Sequence, residues 1–347
     1  MIGVDFFCGA GGLTRGMLDA GVNVVLGVDI DDRCRESYVM NNSPAAFESL
    51  DIRDFDFDLV NSYIGEADNQ ELLFAGCAPC QPFSQQRKSG GRSSLGTLLG
   101  AFGKYVAHFR PGQVLIENVP GITRVLGNST YKRFRKLLDD CEYNVVEKTV
   151  DAKKYGVPQN RRRFILIAML DAKATFPNET HGPGLLPFET VEGAIRRFPR
   201  IVAGKRHPEI PNHVAASISE INMERLRYTH RNGGDRRYWP ARLRLDCHKG
   251  DYSGHSDVYG RMFWKQPSPA LTGRCHSISN GRYGHPSQNR AISLREAASL
   301  QTFDDDYVFF GSNKHIALQI GNAVPVRLAE IMARHIIAIR KSVVSRC

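Results

Sequence analysis

The sequence has no apolar run of about 18 residues, the length a helix needs to cross a bilayer. Its start, MIGVDFFCGAGG, lacks the basic region and cleavage pattern of a secretory leader. These absences lead us to expect a cytoplasmic protein with no membrane contact, nucleoid-associated if bacterial. Cysteine is sparse: eight residues, at 8, 34, 77, 80, 141, 247, 275 and 347, are scattered over 347. That spacing excludes a dense disulfide framework, so free thiols are expected. There is no internal repeat and no low-complexity segment. What remains is an ordinary globular composition, 42% hydrophobic, in a chain long enough for one large domain or two.

The net charge of +10 is unevenly placed. Residues 172–283 hold eighteen Lys and Arg against ten Asp and Glu, whereas the rest of the chain holds 28 against 26. A near-neutral body with a basic insert is the pattern of a catalytic domain carrying a separate part that reads a polyanion, and a well-solvated surface is the plainer alternative. The first half alternates buried strands (IGVDFF, NVVLGVD, ELLFAG, QVLIENV) with stretches of helical spacing (LTRGMLDA, DRCRESYVMN, LLGAFGKYVAHF, TYKRFRKLLDD). Two further apolar runs, NVVEKTV and RFILIAML, follow. Strand and helix taking turns predicts an α/β fold with a mostly parallel sheet and helices on both faces. From about residue 172, Pro, Gly, His and Arg become frequent and regular elements fade, until ISLREAASLQTF and the amphipathic VRLAEIMARHIIAIRK restore order.

In DFFCGAGG (5–12) a strand runs through a glycine loop into a helix. Gly9, Gly11 and Gly12 allow a tight turn and close approach of a ligand. A dinucleotide fingerprint would need a small residue three after Gly11, where Thr14 stands. Asp29, at the end of the second strand, is placed to accept from ribose hydroxyls, and Asp51 to accept from an adenine amino group. Together they suit a nucleoside lacking a pyrophosphate, as in S-adenosylmethionine. Each element also has a structural explanation, as a turn or as a helix cap. GCAPCQPFS (76–84) carries two cysteines three apart. A zinc half-site would need a second pair, and only the distant Cys247-His248 and Cys275-His276 offer one. A redox pair normally opens a helix at once, whereas Pro82 and the polar tail read as a loop. A single nucleophile, Cys80, at the edge of a parallel strand is the third reading, with Cys77 as packing.

The ordered set DFFCGAGG, VDID, LDIRD, GCAPCQPFS, VLIENVPGI, YGVPQNRRRFILIA, HPSQNRAISLREAASLQTFDD and QIGNAVPVRLAEIM resembles the DNA (cytosine-5)-methyltransferase family of bacterial restriction-modification type over residues 1 to about 170 and about 285 to 340. The resemblance implies a Rossmann-like S-adenosylmethionine-dependent domain at 1–188 and 312–347. It also implies a smaller, irregular or β-rich target-recognition domain with a hinge at 189–311. Cys80 is expected to add to carbon 6 of a cytosine rotated out of double-stranded DNA, so that carbon 5 attacks the sulfonium methyl. Glu117 is expected to share a proton with ring nitrogen 3. Arg163 is expected to meet the 2-carbonyl oxygen and orient Glu117, with Arg161 beside it, since residues 161 and 163 of a strand point the same way.

For the cofactor, which leaves as S-adenosylhomocysteine, the resemblance implies Phe6, Cys8, Gly9, Ala10, Gly11 and Gly12 along the methionine part. Asp29, Ile30, Asp51 and Ile52 fall around ribose and adenine, and Pro79, Leu98, Asn322 and Ala323 complete the site. No metal is expected. Gln81 and Ser84 of the thiol loop, and the arginine-rich YTHRNGGDRRYWPARLRL with Arg231, Arg236, Arg237, Arg242 and Arg244, are expected to contact DNA. A cognate restriction or defence system is an expected partner, and a monomer the expected state. The RNA-methylating branch of the family carries a CFT tripeptide in the recognition region, absent here. An inactive DNA-binding relative would lack the cysteine or the glutamate, both present.

Overall fold

The computed structural model describes residues 1–78, 95–122, 128–246 and 257–345. Pro79, Cys80, Gln81 and Ser84 lie outside the described residues, as does the Cys247-His248 pair. The chain divides into two compact units. The first comprises 1–151, 162–179 and 324–347, and the second 152–161 and 180–323. The expected boundaries were 188/189 and 311/312; the observed division instead gives 152–161, 180–188 and 312–323 to the second unit.

Among the described residues nine strands are formed: β1 (Ile2–Phe6), β2 (Asn23–Asp29), β3 (Ala46–Ser49), β4 (Leu72–Gly76), β5 (Gln113–Asn118), β6 (Asn144–Asp151), β7 (Gln159–Asn160), β8 (Arg162–Met169) and β9 (Ser268–Pro269). Seven build the sheet of the first unit in the order β3-β2-β1-β4-β5-β8-β6. The pairs from β3 to β5 are parallel, and β8 runs antiparallel to both β5 and β6. Strands β1, β4 and β5 are buried almost throughout because both their faces are covered. Phe6 illustrates the core: its ring centroid lies 5.2–5.3 Å from those of Phe74, Phe102 and Tyr105, in edge-on or tilted contacts.

Helix α1 (Gly12–Asp19) follows the first glycine loop, and α2 (Arg35–Asn41), α3 (Phe57–Ile64), α4 (Leu95–Phe109) and α5 (Asn128–Asp140) fill the following crossovers. The helix Val326–Val344 returns to pack on α1. The approach is close at Gly16, where a Cβ would come within 2.5 Å of the Val326 carbonyl oxygen and Ala329 Cβ. Arg334 also donates to the Asp19 carbonyl at 2.7 Å. The stretch Asn313–Val344 is long and apolar enough, by length and composition, to pass for a membrane span, which corrects the expectation that the sequence holds no such run. Its most apolar window is 67% buried in the protein, and the chain leaves helical geometry at Ala323–Pro325, so it serves as core.

The second unit is irregular, as its composition predicts. Its described strands are only the two-residue pair β7 and β9, and its helices are short: Val191–Ile195, Glu220–Tyr228, Leu294–Leu300 and Asn313–Asn322. Loops of this kind bury backbone carbonyls without ladder partners, and buried arginines supply the donors. Arg261 donates to the carbonyls of Thr229, Leu226 and His285 at 2.8–3.1 Å. Arg295 donates to those of Pro211 and Asp304. Arg290 is paired through both Nη atoms with Glu296, which also completes a capping box with Ser293. Burial pushes the Arg261 guanidinium down to about 10, so it remains charged at neutral pH.

Candidate active site at the carboxyl edge of the sheet

In an open parallel sheet, ligands bind beyond the carboxyl ends of the strands where the strand order reverses, here between β1 and β4. The registers align those ends: Phe6 pairs with Val28 on one side and Gly76 on the other, and Gly76 pairs with Ile116. Phe7, Asp29, Cys77 and Glu117 therefore emerge on one edge. Because β8 is antiparallel to β5, its amino end lies beside the carboxyl end of β5, with Asn118 opposite Phe164. This brings Arg163 to Glu117.

Asp29 fixes the glycine loop. Its Oδ2 accepts from Gly9 N–H and its Oδ1 from Asp31 N–H, both at 2.8 Å. Burial pushes the Asp29 carboxyl up, against the lowering effect of these bonds. Each oxygen retains a lone pair for a ligand hydroxyl. Gly9 (φ 51°) and Gly11 (φ 89°) take the left-handed conformation the turn requires. A Cβ added to Gly9 would meet nothing within 4 Å, so open space lies before the loop. Cys8 and Ala10 are buried beneath it, and burial pushes the Cys8 thiol far up, with help from Asp29 and Asp5. Under the loop, Thr14 Oγ1 sits 2.6 Å from Asp5 Oδ2 and 3.1 Å from Tyr38 Oη. Burial raises the Asp5 carboxyl to about 7. Thr14, which breaks the dinucleotide pattern, is thus a buried partner of Asp5.

Ile30 is 55% exposed and Ile52 is buried. The Asp51 carboxylate accepts from the Arg53 side chain and backbone, which holds its carboxyl below the usual range. The Phe6 ring lies wholly in the core, so a ligand can meet only its backbone. The half-buried aromatic at the loop is its neighbour Phe7, at φ 63°, which the sequence reading missed. Strand periodicity, applied to the adjacent phenylalanines, was the signal that could have found it. Leu98 packs half-buried against the core.

Glu117 is buried at the end of β5, with 2% exposure. Its Oε1 lies 2.8 Å from Arg163 Nε, and its Oε2 accepts from the Cys77 thiol at 2.7 Å. Cys77, read from sequence as packing, is thus a direct partner of Glu117. Arg161 does not share this arrangement: its guanidinium donates to the carbonyls of Leu271, Gly321 and Ala323 at 2.9–3.2 Å, all in its own unit. Asn322 and Ala323 also belong to that unit, at the end of the helix Asn313–Asn322.

In the second unit, a surface cavity of about 190 Å³ is lined by Arg236, Arg237, Trp239 and Arg244. Trp239 is buried, with the indole N–H donating to Thr229 Oγ1 at 2.9 Å, while Tyr228 and Tyr238 are exposed. Arg237 pairs with the buried Asp235 at 2.8 Å, and Arg242 with Glu224 at 2.6 Å. Arg231 is exposed.

A sheet of this order, with open space before Gly9 beside Asp29 and a buried carboxyl-guanidinium pair at the same edge, fits the methyltransferase class of α/β enzymes. The sequence profile of C-5 cytosine-specific DNA methylase matches residues 1–338, and the chain belongs to that family of DNA (cytosine-5-)-methyltransferases. It is 36% identical over 339 residues to the Type II methylase M.HgiDII of Herpetosiphon aurantiacus, covering 96% of this chain and 94% of the relative. It is 31% identical over 338 residues to the Type II methyltransferase M1.HphI of Haemophilus parahaemolyticus, covering 96% and 86%. Among solved structures, it shares its fold with a prophage-encoded DNA modification methyltransferase of E. coli (TM-score 0.77, 21% identity, 98% of this chain and 99% of the other). It likewise shares it with the S. pombe Dnmt2 methyltransferase (TM-score 0.61, 15% identity, 99% of each chain).

Proposed function

We propose that the protein methylates carbon 5 of a cytosine rotated out of double-stranded DNA at a specific sequence, using S-adenosylmethionine and a transient bond between Cys80 and ring carbon 6. The observation that supports this best is the Glu117–Arg163 pair at the carboxyl edge of the sheet. Carbon 5 of cytosine is a poor nucleophile. Addition of the Cys80 thiolate to carbon 6 turns the ring into an enamine whose carbon 5 can attack. Glu117 shares a proton with nitrogen 3 as charge moves onto the ring, and Arg163 orients Glu117 and meets the 2-carbonyl oxygen. Bound S-adenosylmethionine supplies an electrophilic methyl group on a sulfonium.

The open space before Gly9, the Asp29 carboxylate, the exposed Ile30 and the half-buried Phe7 fit a nucleoside cofactor of that kind. Asp29 would hold the ribose, Ile30 and Ile52 the adenine faces, Asp51 the adenine amino group, and the Cys8–Gly12 backbone the methionine part. Pro79, Leu98, Asn322 and Ala323 would line the remainder. The first unit would be catalytic and the second would read the target. Arg161 would act by tying β7 to the loops of its own unit. No step is assigned to a metal ion. The protein would act as a cytoplasmic monomer, as the modifying half of a restriction-modification system.

The test offers duplex DNA and tRNA in parallel, with radiolabelled S-adenosylmethionine, and locates the product by bisulfite sequencing. Methyl groups are expected at position 5 of cytosine in one sequence context of duplex DNA; incorporation confined to tRNA, or absent from both, overturns the reading.

Rotating a base out of a duplex costs a few kcal/mol, which phosphate contacts from the second unit are proposed to offset, with Arg231, Arg236, Arg237, Arg242 and Arg244, and Gln81 and Ser84 of the thiol loop, as the DNA-facing residues. Substituting Arg236 or Arg237 by alanine is expected to weaken DNA binding and to reduce the slope of log affinity against log salt by about 1 for each phosphate no longer neutralised. A slope equal to that of the parent protein would remove these arginines from the interface.

A further inference from the structure

Among the described residues, the carboxyl of Glu117 has two polar side-chain neighbours, and only one of them is a cation. Arg163 Nε lies 2.8 Å from Oε1, and the Cys77 thiol donates to Oε2 at 2.7 Å. Cys77 is held for this task from both sides. Its backbone N–H donates to the Phe6 carbonyl at 3.3 Å, continuing the β1–β4 ladder. The next residue, Ala78, is anchored by its carbonyl to Asn118 Nδ2 at 2.8 Å, and Asn118 Oδ1 in turn accepts from Val119 N–H. Asn118, next to Glu117, and Phe6 therefore fix the backbone that carries Cys77, and the thiol closes the loop onto the carboxyl.

We infer that Cys77 is a positioning residue for methyl transfer, its S–H holding one oxygen of Glu117 while Arg163 holds the other. The inference rests on the role proposed for Glu117 above. A carboxyl hydrogen-bonded at one oxygen and ion-paired at the other is restrained from rotating, which fixes the direction from which its proton is shared with the base. The thiol is a weak donor, and its part is to orient the group. Among the described residues, the titratable groups in contact with Glu117 are Cys77, from the end of β4, and Arg163, from the start of β8.

Removing the thiol frees one carboxyl oxygen, so fewer bound bases meet Glu117 in the reacting direction, and the loss falls on kcat while KM for DNA is kept. The test compares kcat per active site and KM of the parent, Cys77→Ala and Cys77→Ser on duplex DNA. For Cys77→Ala, kcat is expected to fall about tenfold with KM unchanged, as suits loss of one hydrogen bond to a charged group. Cys77→Ser keeps a donor and is expected to restore most of kcat. A merely structural cysteine would change thermal stability and active fraction but leave kcat per active site in place.

An alanine kcat per active site equal to the parent's, or a serine kcat as low as alanine's, overturns the inference. The parent runs in the same assay, so an inactive parent refutes the proposed function, whereas an active parent with an unchanged alanine kcat refutes the role of Cys77 alone.

Discussion

Replacing Cys80 by alanine is expected to lower methyl transfer by on the order of 10⁴-fold or more, the scale at which loss of a covalent nucleophile is felt. A free thiol is only a few per cent thiolate at neutral pH, and the rest of the ring chemistry cannot substitute for it: without addition at carbon 6, carbon 5 has no electron pair to offer the methyl group. The decisive measurement is trapping. In duplex DNA carrying 5-fluorocytosine, the proton that must leave carbon 5 after methylation is replaced by fluorine, which cannot leave as a proton does. The cysteine then stays bonded to carbon 6, and protein and DNA should migrate together in a denaturing gel. Cys80→Ala should show no such band. Cys77→Ala should still show it, because the Cys77 thiol is engaged with Glu117. A persistent band in Cys80→Ala, or its loss only in Cys77→Ala, would transfer the nucleophile to the other cysteine of CAPC.

Much of this site is written locally in the chain, and the portions that are not share a physical cause. The alternation of buried strands and amphipathic helices gives the α/β class, because a parallel strand covered on both faces reads as a near-continuous apolar run. The strand β3 (Ala46–Ser49) is only four residues long, too short for its alternation to stand out. Glu117 and Arg163 could be named but not joined by periodicity, since their meeting depends on β8 inserting antiparallel between β5 and β6, a long-range pairing. The same applies to Arg161: two-residue alternation puts it on the side of Arg163, but it precedes β8 and its donors go to carbonyls more than a hundred residues away. Composition also overstates the DNA-facing charge of the basic insert. Arg261 lies within it, yet its guanidinium is used to satisfy loop carbonyls in the interior. A count of arginines cannot separate those that face a phosphate from those that replace a missing sheet.

Substituting Glu117 by glutamine should reduce kcat by about 10²–10⁴-fold, the usual contribution of a positioned proton donor, while leaving S-adenosylmethionine affinity within about twofold, because Glu117 makes no contact with the glycine loop or Asp29 among the interactions observed. Glutamine keeps the size of the side chain and leaves an oxygen to face Arg163, but its amide cannot give up a proton as the ring becomes anionic. Covalent trapping with 5-fluorocytosine should slow by a similar factor, since the proton is shared during addition itself. Arg163→Ala probes the same pair from the other side. It removes the cation beside a carboxyl that is only 3% exposed, and breaking a buried pair from one side costs on the order of 3–5 kcal/mol, so Arg163→Ala should lower kcat further than Cys77→Ala does. It should also raise KM for DNA, because the 2-carbonyl oxygen loses its donor. Combining Glu117→Gln with Arg163→Ala should cost much less than the product of the two single losses, as expected for residues acting as one unit. Full additivity would mean that the two groups act separately, and the 2.8 Å contact between them would then have no part in catalysis.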